Sequence, residues 1–157
     1  MEKNLFDIIL AQDVPDSQQV REPAAEYIRT PGSGNPTLMN FKLTRNGLKK
    51  RNLMKLKAET KLTLEEIAGY LHITPRTIQR YNDEQTLSQP VSERIVSITE
   101  VYNRGYQVFE DPASFQEWIA TPSRVFNNKP PKSYLDNHYG VALILDELGR
   151  IEHGIFA

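Results

Sequence analysis

The sequence predicts an all-α protein, with an N-terminal helix-turn-helix module followed by a small helical C-terminal domain. Two observations carry that prediction. Apolar residues recur every three or four positions in successive segments, and no stretch alternates convincingly with a period of two. Residues that start helices stand ahead of those segments, at Thr63, Thr74-Pro75, Pro90 and Asp111-Pro112. The 157 residues suffice for one or two small domains around a sizeable core. Cysteine is absent, which excludes disulfide scaffolds, Cys-zinc sites and Cys nucleophiles.

Residues 1–41 read as a flexible N-terminal arm. Leu5, Phe6, Ile8, Ile9 and Leu10 suit one short helix or strand, and Pro15, Pro23, Pro31 and Pro36 then interrupt any long element. The Gly-Ser-Gly run at 32–34 has neither a preceding strand nor a following Gly-Lys-Ser/Thr, so it reads as linker rather than phosphate loop. From Thr44 the pattern turns helical, with Leu48, Leu53, Met54, Leu56 and Leu62 lining one side and basic residues the other. Thr63 and Glu66 form a capping box, and Leu64, Ile67, Ala68 and Leu71 follow at i, i+3, i+4 and i+7. His72-Ile73 ends that helix, and Thr74-Pro75 begins a short second one with Ile78 inward. Pro90 opens a longer helix striped by Val91, Ile95, Ile98 and Tyr102, running to about Gly105. Asp111-Pro112 starts the next, with Phe115, Trp118 and Ile119 on one side and Thr121-Pro122 as its stop. After a turn-rich connection from Asn127 to Pro131, a last helix spans roughly Asn137 to Glu152 and is apolar nearly all round at its start. The expected domains are the arm 1–41, a helix-turn-helix domain 42–108 and a C-terminal domain 109–157.

Charge is distributed unevenly. Residues 42–61 carry eight basic side chains against the single acid Glu59, a net +7, while the chain as a whole is −1. Such a block is a candidate polyanion footprint. It directly precedes two short helices joined by a three-residue turn, with the small Ala68 where helices cross and Ile73 and Ile78 where the second packs back: the layout of a helix-turn-helix. The second helix of that motif is narrow enough for the major groove of double-stranded DNA. Arg76 and Arg80 can each donate twice to guanine, Gln79 can pair with adenine, and Thr77 can meet a thymine methyl or a phosphate. Lys49, Lys50, Lys55 and Lys57 are the expected phosphate contacts. The turn often has glycine where this chain has His72, and a left-handed backbone is less easy for histidine. A twofold dimer on two half-sites is the expected assembly.

Catalysis finds no support. His72, His138 and His153 are far apart and match no metal spacing, Asp146 and Glu147 adjoin on a helix and so point apart, and Trp118 sits in a core pattern. We expect no enzyme activity, no metal and no cofactor. The longest apolar run, Val141 to Leu145, is far short of a bilayer span, and the first residues carry Glu2 and Asp7 without a basic region, so no membrane association and a cytoplasmic location are expected. The apolar end, with Ile155 and Phe156, is unlike a usual polar terminus and suggests a covering partner.

Several runs together carry a family resemblance. They are Leu71 to Tyr81, Phe115-Gln-Glu-Trp118, Thr121-Pro122, Lys129-Pro-Pro, Leu135-Asp136, Tyr139-Gly140 and Leu145 to Phe156. Over about residues 41–157 the chain resembles the Xre/ParS-type antitoxins, the partners of RES-domain toxins. The resemblance implies a type II toxin–antitoxin role. The N-terminal module would bind the promoter of its own operon, and the C-terminal domain would neutralise a toxin that degrades NAD by blocking its active-site pocket. Carried onto this sequence, the blocking element is Gly149 to Ala157, with Gly149, Arg150, Ile151, Glu152, His153, Gly154 and Phe156 as toxin-binding residues. Arg150 offers a planar donor fork, Ile151 and Phe156 are apolar anchors, and Gly149 and Gly154 permit close backbone approach. The alternative is a stand-alone helix-turn-helix transcription regulator whose C-terminal domain only dimerises. The apolar tail favours the first reading, because a dimerisation domain does not need one.

Overall fold

The computed structural model describes residues 5–10 and 36–154. The expected linker at 32–34 and the expected anchor Phe156 lie outside the described residues. Within them the chain is helical, with two isolated β-bridges and no strand. The helices are α1 (Leu5–Leu10), α2 (Pro36–Asn46), α3 (Lys50–Thr60), α4 (Leu64–Leu71), α5 (Pro75–Arg80), α6 (Gln89–Phe109), α7 (Pro112–Ala120) and α8 (His138–Glu152). Between α7 and α8 run two 3-10 turns, Arg124–Phe126 and Pro131–Tyr134.

Helix α6 is the spine of the molecule. α1, α2, α3, α4, α7 and α8 all pack against it. The expected stripe Val91, Ile95, Ile98 and Tyr102 is buried along it. Gly105 does not end the helix, as the sequence suggests. It lies inside α6, buried, where a side chain would collide with the Phe115 ring of α7. Two-sided packing on α6 joins both halves into one continuous core. The helix stops at Phe109, close to the expected division, but the core does not divide there.

The expected flexible arm is corrected at both its ends. Leu5 and Ile9 of α1 are buried in the core, the Leu5 amide donates to Asn103 Oδ1 at 3.2 Å, and the buried Asn52 side chain donates to the Ile9 carbonyl at 2.6 Å. An apolar pair with satisfied ends has reason to dock rather than stay in water. At the other end α2 begins at Pro36, before the expected boundary, and contacts α6.

The helical pattern from Thr44 to Leu62 is not one helix. It breaks at Gly47, whose φ is +77° and whose missing Cβ would stand 2.6 Å from the Leu87 carbonyl oxygen. The chain returning at Leu87 lies against this break: the Leu87 amide donates to the Leu48 carbonyl at 2.8 Å, and the Leu48 amide donates to Ser92 Oγ at 2.9 Å. An aromatic chain then holds the C-terminal half. Tyr102 meets Phe115 edge-on at 5.3 Å, Trp118 stacks on Phe115 at 5.9 Å and meets Phe126 edge-on, and Phe126 contacts Tyr134.

Candidate functional site

The two short helices form as the capping residues dictate. Thr63 Oγ accepts the Glu66 amide at 3.1 Å, and the Glu66 carboxylate accepts the Thr63 amide at 2.9 Å. Burial alone would raise the Glu66 carboxyl, but hydrogen bonds from Lys132 and Thr63 hold it below its ordinary value. Thr74 Oγ accepts the Thr77 amide at 3.1 Å, with Pro75 at the first helical position of α5. Ala68 and Ile78 are each 1% exposed, so the second helix is pinned to the first. His72 takes the left-handed conformation at φ 55°. Its Nε2 lies 2.8 Å from the Asp136 carbonyl oxygen, a partner 64 residues away that leaves no local signal.

Arg76, Gln79 and Arg80 are exposed and, at i, i+3 and i+4, share one face of α5. Thr77 is half-buried and its hydroxyl is hydrogen-bonded to Thr74 Oγ at 2.9 Å, so it serves the cap of α5. The expected phosphate contacts divide. Lys49 pairs with Glu84 at 2.7 Å, and Lys50 donates to the Tyr81 carbonyl at 2.6 Å with Asp83 at 3.6 Å. Both therefore already have partners on the chain itself. Arg51 pairs with Glu84 as well. Lys55 and Lys57 are half-buried and make no ion pair among the described residues.

At the other end the expected blocking element is largely helix. Gly149, Arg150, Ile151 and Glu152 form the last turn of α8, and His153 closes it, with Nδ1 2.8 Å from the Gly149 carbonyl oxygen. Arg150 pairs with Glu147 at 3.1 Å, and Glu152 pairs with Arg104 of α6. The inner face of α8, with Val141, Ile144 and Leu148 buried, carries the helical periodicity down to the half-buried Ile151. Arg150, Glu152, His153 and Gly154 are exposed, and Gly154 has φ +66°. Tyr139, which in the sequence stands only within a run shared with the family, is 84% exposed and in helical register with Leu143, Asp146 and Arg150. Polar ties join the two halves: Lys132 pairs with Glu66 at 2.6 Å, and Arg94 donates to the Asp136 carbonyl at 2.5 Å. Partners 42 and 66 residues apart leave no local signal. Among the described residues no three His, Asp or Glu side chains converge on a metal position, and no helix is long and apolar enough to cross a membrane.

The fold and these two faces define a helix-turn-helix protein with an appended helical domain. Residues 41–99 match the family model of the antitoxin Xre-like helix-turn-helix domain, and residues 104–154 match that of the antitoxin Xre/MbcA/ParS C-terminal toxin-binding domain. The chain belongs to the Xre/ParS-type antitoxins. It is 31% identical over 67 residues to Antitoxin Xre of Yersinia enterocolitica (serotype O:8 / biotype 1B), a match that takes in 42% of this chain and 45% of that relative's length.

Proposed function

We propose that this chain is the antitoxin of a type II toxin–antitoxin pair, without catalytic activity of its own. The observation that carries the proposal is the succession, in one chain, of a helix-turn-helix domain and a toxin-binding domain of the same family. Arg76, Gln79 and Arg80 read base edges in double-stranded DNA at the promoter of its operon, and Lys55 and Lys57 approach phosphates. A homodimer presents two copies of α5 about one helical turn of DNA apart. The cognate toxin is a RES-domain protein that degrades NAD, and the complex forms in the cytoplasm. Residues Gly149 to Gly154, with Phe156 beyond them, engage the toxin at its active site.

The test is co-expression with the RES-domain product of a neighbouring reading frame, followed by NAD consumption with and without this chain. Co-purification and loss of NAD turnover are expected. A neighbouring product that neither binds this chain nor loses activity beside it overturns the toxin half of the proposal.

A further inference from the structure

The loop that leaves α5 carries two acids, Asp83 and Glu84, beside the most basic part of the chain. Both side chains are open to solvent, at 77% and 60%. Glu84 engages Lys49 and Arg51, and Asp83 engages Lys50. Three of the eight cations in the basic block are thus matched by the chain's own carboxylates.

The carboxylates are not what holds this loop. The Lys50 amide donates to the Gln85 carbonyl at 3.0 Å, the Arg51 amide to the Asp83 carbonyl at 3.1 Å and the Leu87 amide to the Leu48 carbonyl at 2.8 Å. Lys50 Nζ adds a bond to the Tyr81 carbonyl. The first two backbone bonds satisfy first-turn amides of α3, and all three fix the loop. Exposed ion pairs contribute only about 0–1 kcal/mol beside them. The loop that carries the acids runs beside α5, since its Gln85 walls one depression together with Thr77, Arg80 and Tyr81. Arg76 and Arg80 make no ion pair among the described residues, and Gln79 beside them is exposed. A cation held by a carboxylate neutralises a phosphate only at the expense of that pair, so the contact is costlier and frees fewer of the DNA's condensed counterions, whose release drives sequence-independent binding. Screening the backbone-contacting cations while leaving the base readers open suppresses the wrong kind of binding selectively.

We propose that Asp83 and Glu84 are specificity-determining residues for duplex binding, acting as built-in rivals of DNA phosphate for Lys49, Lys50 and Arg51. The inference rests on the DNA-binding half of the proposed function. Its test compares the wild-type chain with Glu84→Gln and, separately, Asp83→Asn. Each is titrated over a range of KCl against a random-sequence duplex and against a duplex selected from a randomised pool by the wild type. Thermal unfolding of each variant checks the fold. On random DNA each variant should bind roughly three- to ten-fold tighter at low salt, with a log–log salt slope steeper by about one unit. On the selected duplex the gain should be smaller, so the specificity ratio falls. Variants that melt like the wild type but keep its random-DNA affinity and slope overturn the inference alone. A wild type that binds no duplex at all overturns the DNA-binding reading, and this inference with it.

Discussion

Side chains added at Gly105 and Gly140 would collide with the Phe115 ring and the Tyr134 carbonyl, whereas ones added at Gly69 and Gly149 would meet nothing within 4 Å. The first pair is explained by packing within the chain. The second pair weakens its helices without an internal reason, since glycine inside a helix costs about 0.5–1 kcal/mol relative to alanine. Gly105→Ala or Gly140→Ala should therefore destabilise by roughly 1–3 kcal/mol in urea unfolding. Gly69→Ala or Gly149→Ala should stabilise by about 0.5–1 kcal/mol. If the space at Gly149 serves a partner, Gly149→Ala will bind toxin more weakly while melting higher, a combination a purely structural glycine would not give. Glu66 adds a dependence on pH. Its burial, which raises the carboxyl, is outweighed by Lys132 and Thr63, so the folded value lies below the ordinary 4.5. A carboxyl depressed on folding stabilises above its ordinary value and loses that contribution as pH falls through the folded value. Glu66→Gln should be less stable than wild type at neutral pH, and the gap should close in acid. A gap in urea midpoints that persists unchanged at pH 3 would show that the carboxylate's charge plays no part.

The helices most legible in the sequence are those with local start signals: Thr63 for α4, Thr74-Pro75 for α5 and Asp111-Pro112 for α7; the Asn137 cap of α8 emerges only in the structure. A cap and its amide lie within three residues of one another, so the chemistry is written in order. What was not legible came from distant chain. The break at Gly47 lies against the returning Leu87, and the neutralisation of Lys49 needs Glu84, 35 residues on. Within the helix-turn-helix the same contrast appears at His72. Its left-handed backbone looked unfavourable in sequence, and its hydrogen bond to the Asp136 carbonyl, from 64 residues away, is the compensation. His72→Gly removes that bond but relieves the backbone, and the two effects, each on the order of 1 kcal/mol, should nearly cancel. His72→Ala keeps the strained backbone without the bond and should lose about 1 kcal/mol or more. Equal stability of the two variants in urea would show that the left-handed cap costs nothing here.

Across the whole molecule, α6 packs against α4 of the helix-turn-helix and against α7 and α8 of the C-terminal domain, so α8 is not an independent appendage. The sequence treats Gly149 to Ala157 as one removable plug. The structure divides it: Gly149 to Glu152 complete α8, Ile151 is half-buried and Glu152 pairs with Arg104 of the spine. A deletion after Leu148 removes a helical turn and that ion pair, and should lower the melting temperature by several degrees, on the order of 1–2 kcal/mol in a chain of this size. A deletion after Gly154 takes away Ile155, Phe156 and Ala157 and leaves every described contact in place. The two truncations separate fold from function. The shorter deletion should keep the wild-type melting temperature and affinity for DNA while protection against the toxin is lost, because the apolar anchor would be gone with the scaffold intact. If cells carrying that chain survive toxin expression as well as the wild type, the anchor is not Phe156. The exposed side of α8, from Tyr139 through Leu143 to Arg150, is then the next place to look, and Tyr139→Ala in the same survival assay would decide it.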